Sequence, residues 1–177
     1  MTGPKTGGMT GLVLRHPRWL APATLVLSVV GLADSAYLTF EHYSGSTSLA
    51  CSDSGAVDCA KVTTSQWSSI AGVPVALLGL LFFVAMTVLC LPAVWRRTTA
   101  PLDTVRVGAA GVGLLMVFYL LWAELVEIHA ICLWCTGVHV ITFVLFFVLL
   151  VGQILRVPVL TDGSGGDPVA DHAEHVE

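Results

Sequence analysis

Charged residues are scarce in this chain. Only 11% of its 177 residues are Asp, Glu, Lys or Arg, where a soluble domain carries about 25%. Hydrophobic residues make up 55%, and the mean hydropathy is +0.84. Most of the surface must therefore meet lipid. No basic patch exists to neutralise phosphates, so no nucleic-acid partner is expected. No internal repeat is present. Other absences narrow the chemistry of the cysteines. Thr136, not His, follows the Cys132-Leu-Trp-Cys135 motif, which excludes covalent haem attachment of the Cys-x-x-Cys-His kind. The other two outer cysteines, Cys51 and Cys59, are too widely spaced to form a second close pair. A four-ligand zinc site is therefore disfavoured, and no metal is expected.

What is present is a set of four apolar runs, at about 19–40, 73–95, 105–126 and 131–154. Each reaches the roughly 20 residues that cross a hydrocarbon core of about 30 Å. Lipid offers no partner to unpaired backbone groups, so each run is expected to be helical. The fold class is all-α: a four-transmembrane-helix bundle with a short interfacial helix in the outer loop, 41–72. The first run is longer than a signal-peptide core, and its small triplet Ala21-Pro22-Ala23 lies at its start, so a retained helix is expected.

Lys5, Arg15, Arg18, Arg96, Arg97, Arg106 and Arg156 fall on one side of this topology, and Lys61 on the other. The positive-inside rule puts both termini in the cytoplasm. Residues 1–18 and 156–177 are expected to be disordered cytoplasmic tails around a 19–155 domain; His172 and His175 belong to the second tail. Within the outer loop, 43–58 is rich in Ser, Gly and Asp and is expected to be flexible. Residues 65–71 are expected to form the short helix, with Trp67 at headgroup depth. Pro74 then stands at the first turn of the second long helix, where proline is tolerated.

Cys51, Cys59, Cys132 and Cys135 all fall on the outer side. Cys132 and Cys135 open the fourth helix, where partial positive charge and free N–H groups favour a thiolate. A reactive thiolate beside the bilayer suits reduction of a quinone; a structural disulfide is the alternative. Cys51 and Cys59 lie where disulfides persist. Alone they suggest a staple. Beside the second pair they suggest a relay by thiol–disulfide exchange. Five cysteines leave one over: Cys90, at the inner end of the second helix, expected to be a small buried hydrophobe.

This set of motifs resembles the vitamin K epoxide reductase family, bacterial branch, over roughly residues 25–155. The pieces that carry the resemblance are Cys51…Cys59, Ser65-x-Trp67, Gly72-Val73-Pro74-x-Ala76-x-x-Gly79, Cys132-x-x-Cys135, and Tyr37-Leu-Thr-Phe-Glu-His-Tyr43. The resemblance implies a four-helix bundle around a site for menaquinone or ubiquinone, capped by a short helix after the loop cysteines. It implies that Cys135 reacts with the quinone, that Cys132 pairs with Cys59, and that Cys51 exchanges with an external thiol protein. Ser65 matches a hydroxyl that hydrogen-bonds near the quinone. In bacteria such proteins reoxidise a thioredoxin-like thiol oxidase outside the cytoplasmic membrane. With about 20 residues after the fourth helix, that partner is expected to be a separate protein.

His139 stands where the animal enzymes carry a tyrosine, one helical turn beyond Cys135. It is a candidate quinone-binding residue; a neutral, packed His is the alternative. Asp34 lies inside the first helix, where a carboxyl is costly and usually functional. It is a candidate proton source, against the reading that it snorkels outward or stays protonated.

Three other functions compete. The other four-helix disulfide oxidase, disulfide bond formation protein B, has the cysteine pairs in the reverse order. A membrane thiol shuttle needs cysteines reachable from both faces, and only Cys90 lies inward. A non-enzymatic membrane subunit with a structural disulfide is the third.

Overall fold

Apolar runs of this length satisfy their own backbone by winding into helices, and the computed structural model of the chain has that form. It describes residues 11–44, 51, 55–96, 100–155 and 157–161. Helix α1 is Leu20–Ser44, about 38 Å long at 1.5 Å per residue. A short helix α2, Cys59–Thr63, and a 3-10 turn, Gln66–Ser68, follow in the outer loop. Helix α3 is Val75–Leu89 and α4 is Pro92–Trp95. Helix α5, Ala100–Trp122, runs on through a π-helical turn, Ala123–Ile128. Helix α6 is Leu133–Ile154. Among the described residues, three helical segments are long and apolar enough to cross a membrane: Leu20–Ser44, Pro101–Ile128 and Leu133–Ile154. Helix α3 is apolar but shorter, at 15 residues.

Three expectations need correction. The helix expected over 73–95 is interrupted. Pro92 cannot donate a hydrogen bond, and it forces the residue before it out of the helical region. Leu91 accordingly sits at φ −57°, ψ 139°, and α3 stops short of it. Of the helix expected over 65–71, only the single 3-10 turn Gln66–Ser68 is present. Ala71 and Gly72 both have positive φ, 51° and 81°, which suits a tight hairpin turn. Strand β2, Ser69–Ile70, pairs through it with β3, Val73–Pro74. The α-helical turn of this loop lies earlier, at α2, where Asp58 Oδ1 accepts from the Lys61 N–H at 2.8 Å. Finally, parts of the two expected disordered tails are ordered. Strand β1, Gly11–Arg15, pairs antiparallel with β4, Val157–Thr161. Both segments carry β-branched residues and little charge, which favours strand. Residues 1–10 and 162–177, with His172 and His175, lie outside the described residues, as does most of the loop segment expected to be flexible.

Helix α1 packs against α3 and α6, and α5 packs against α6 and more lightly against α3. The face of α1 that does this carries small residues, which let backbones approach closely in an apolar medium. Thr24, Ser28 and Thr39 are buried. Each hydroxyl donates to the carbonyl four residues back, at 2.7–2.9 Å, so none is left unpaired. Cys90 is fully buried in the main apolar cluster beside Leu20, Phe83, Met86 and Leu145, as expected of a small hydrophobe. A second buried feature lies among these helices. The Arg106 Nη1 donates to Asp103 Oδ1 at 2.7 Å and its Nε to the Leu89 carbonyl at 2.9 Å. His16 Nε2 meets Asp103 Oδ2 at 2.9 Å. The Arg106 guanidinium lies 3.9 Å above the Trp95 ring.

A Cβ at Gly31 would collide with the Phe83 ring. Gly31→Leu is therefore expected to destabilise the bundle by about 1–3 kcal/mol, as overpacking does. Thermal unfolding in detergent measures this; an unchanged midpoint contradicts the α1–α3 packing.

Candidate functional site

The end of the bundle that carries Cys59 and Cys132 is built around one backbone tie. The Ile131 N–H donates to the Ala56 carbonyl at 2.9 Å, and the Asp58 N–H to the Ile131 carbonyl at 3.1 Å. These form a parallel bridge between Val57 and Ile131. Each strand of the bridge leads directly into a cysteine. Asp58 precedes Cys59, which opens α2; Ile131 precedes Cys132, which caps α6.

The bridge is possible because α5 ends abruptly. His129 takes the left-handed conformation, φ 53° and ψ 39°, and closes the π-helical turn. The Ala130 N–H then returns to the Glu124 carbonyl at 3.2 Å. The chain leaves the helix, passes the bridge, and re-enters helix at Leu133.

The loop pair forms a disulfide, Cys51–Cys59, with Cα atoms 6.2 Å apart, within the usual span. Cys132 and Cys135 are both reduced. Cys59 and Cys132 are fully buried and share one apolar cluster with Val62, Ile128 and Ala130; Cys51 and Cys135 pack at its margin. The four expected cysteines are thus brought together at one end of the molecule. Cys132 is not inside the helix but is its N-cap. It has extended backbone, and its sulfur accepts from the Cys135 N–H at 3.2 Å. The Cys135 thiol also hydrogen-bonds to the Cys132 sulfur and holds the Cys132 thiol below the ordinary thiol value. Burial opposes that shift.

Cys135 opens onto a cavity of ≈ 310 Å³ between the helices. Its walls are mostly apolar, among them Phe82, Phe83, Val117 and Leu120. Helix α2 and the 3-10 turn cover it with Val62, Ser65 and Trp67. Trp67 stacks edge-on against Trp122, with ring centroids 5.4 Å apart. Ser65 and His139, both expected as site residues, line this cavity with Cys135. The Ser65 hydroxyl donates to the Val62 carbonyl at 2.8 Å. His139 is buried, and its Nδ1 has no hydrogen-bond partner among the described residues.

Asp34 stands elsewhere, on α1 facing Gly137 of α6. A Cβ on Gly137 would come within 2.7 Å of Asp34 Oδ2. It is not among the cavity-lining residues, and its Oδ1 is buried with no hydrogen-bond partner among the described residues.

Among the polar residues of the cavity missed in the sequence are Ser35, His42 and Glu124. Ser35 sits on the small-residue face of α1, and its buried hydroxyl oxygen has no partner among the described residues. Glu124 reads in the sequence as outer-side charge beside Glu127. The π-helical turn separates the two: Glu124 is 4% exposed, while Glu127 faces out. The helical spacing of Ser28, Gly31 and Ser35 was the available signal for α1. For Glu124 there was none.

The model of the vitamin K epoxide reductase family matches residues 22–150. No curated protein matches the chain. The matched stretch takes in all four cysteines, Ser65 and His139.

The hydrogen bond between the two thiols yields a test. In the protein with Cys51–Cys59 intact and Cys90 replaced by Ala, the pH midpoint at which the first thiolate absorbs in the ultraviolet, that of Cys132, lies below the ordinary thiol value. It should rise in Cys135→Ala and rise less in Cys135→Ser, which keeps a donor. Thiolate absorbance needs no reagent to reach the buried sulfur, and equal midpoints in all three proteins would falsify the assignment.

Proposed function

The chain belongs to the vitamin K epoxide reductase family, and on that premise we propose that it is a membrane thiol oxidase serving disulfide formation in exported proteins. It takes electrons from a separate, reduced, extracytoplasmic thioredoxin-like protein. It passes them through Cys51/Cys59 and then Cys132/Cys135 to a membrane quinone, menaquinone or ubiquinone. The setting is the bacterial cytoplasmic membrane. Helix α3 completes four crossings, both termini lie in the cytoplasm, and α2 with its 3-10 turn lies at the outer interface. The basic residues support that orientation, since Lys61 alone falls on the outer side.

One observation carries the reading. Cys135 opens onto an apolar cavity while its partner Cys132 shares a buried cluster with Cys59. A quinone fits such a cavity. The volume is in the range of small-molecule sites, the wall is apolar, and Ser35 Oγ and His139 Nδ1 are buried polar atoms without hydrogen-bond partners among the described residues.

The residues then act in order. A thiolate of the partner attacks the Cys51–Cys59 disulfide at Cys51, the half-buried member of the pair. Cys59 is released and attacks Cys132 of an oxidised Cys132–Cys135 pair. Cys135 is released into the cavity wall, and Cys51–Cys59 re-forms as the partner leaves oxidised. A bound quinone supplies the two-electron acceptor. His139 and Ser65 orient it, and Trp67 with α2 excludes water.

Quinone reduction by the purified protein in lipid tests this reading. Wild type should turn over with a reduced thioredoxin-like donor or with dithiothreitol. Cys135→Ala should be inactive with both, and Cys51→Ala inactive only with the protein donor. A wild type that reduces no quinone overturns the proposal. His139→Phe should raise the quinone KM about fivefold to tenfold, the loss of one hydrogen bond worth about 1 kcal/mol; an unchanged KM removes His139 from the site.

A further inference from the structure

Glu124 is the one carboxyl among the residues that line the cavity with Cys135. It is 4% exposed, and no Lys, Arg or His forms an ion pair with it among the described residues. It lies within electrostatic range of both Cys132 and Cys135. A carboxyl in an apolar wall without a cationic partner is costly as an anion, and inside a membrane such a group is functional by default. Its position is fixed rather than incidental. The π-helical turn carries it inward, and its carbonyl accepts both the His129 and Ala130 N–H groups. Turns of this kind occur most often at functional sites.

We propose that Glu124 is the proton-transfer group of the cavity, carrying hydrogen from the Cys132/Cys135 pair to a quinone oxygen. The inference rests on the quinone reading above. Joining the two sulfurs releases two electrons and two protons, and forming a quinol consumes both. The Glu124 carboxyl gives its proton to the quinone oxygen nearest it as the electron pair arrives. It regains one from the thiol that closes the disulfide. The second thiol hydrogen goes to the other oxygen, and Glu124 ends as it began. Asp34, the other carboxyl in range of Cys135, faces Gly137 and does not line the cavity.

The test compares wild type, Glu124→Gln and Glu124→Asp, full-length in lipid, with menadione as acceptor and dithiothreitol as donor. Glu124→Gln should lose about 100-fold in kcat, the scale of general acid–base catalysis, with the menadione KM unchanged. Glu124→Asp, which keeps an acid, should recover part of that loss. A second readout needs no quinone: the infrared difference spectrum between dithiol and disulfide protein should contain a protonated-carboxyl band that vanishes in Glu124→Gln. The proposal is overturned if Glu124→Gln keeps kcat within threefold of wild type, or if Glu124→Asp falls as far as Glu124→Gln. It is equally overturned if the band is missing from wild type. Failure of the quinone reading itself shows separately, as a wild type that does not reduce menadione.

Discussion

Two backbone hydrogen bonds, between Ile131 and residues Ala56 and Asp58, hold the outer half of this molecule in working order. Each is worth only about 1 kcal/mol net. Their importance is geometric. One side of the bridge belongs to the loop that carries the outer disulfide, and the other belongs to the entrance of α6. Without the bridge, the loop would be joined to the bundle only by its ends and by side-chain packing. With it, Cys59 and Cys132 start from adjacent backbone positions and are buried in the same small cluster. The left-handed His129 and the π-helical turn before it are what free Ile131 to make these bonds. The irregular backbone at the end of α5 is therefore part of the redox site.

The opposite end of the bundle is held differently. Arg106 and Asp103 of α5, His16 ahead of α1, the Leu89 carbonyl of α3 and the Gly152 carbonyl of α6 are linked by hydrogen bonds, with Trp95 stacked against the guanidinium. A buried ion pair adds little net stability, since desolvation offsets much of its attraction. It does fix which groups meet. Every main helix except α1 contributes to this cluster, and the segment leading into α1 closes it. The bundle is thus tied by polar groups at one end and by a backbone bridge at the other, with small residues packed closely between.

Much of this was legible in the sequence because apolar length and cysteine spacing are local signals. The long runs were found with errors of a few residues, and the four cysteines, Ser65 and His139 meet where one site would need them. The failures have local causes too. Pro92 breaks a run that hydropathy alone reads as continuous. Ala71 and Gly72 turn a segment whose Val, Trp and Ile spacing also suits a helix. Glu124 could not be found, because its inward direction depends on a π-helical turn that no periodicity announces. Arg106 entered the sequence reading only as one of the basic residues on one side of the topology, because its partners, Asp103 apart, are distant in sequence or are backbone carbonyls.

The exposure of the four cysteines has a further consequence. Cys59 and Cys132 have no accessible surface at all, whereas Cys51 and Cys135 retain some. The middle of the relay is therefore insulated. Small thiols and oxidants in solution have no sulfur to strike there, and charge can enter or leave only at the two terminal atoms. On the proposed relay, a reagent in solution would meet sulfur at Cys51 and an acceptor in the cavity at Cys135, and nowhere between.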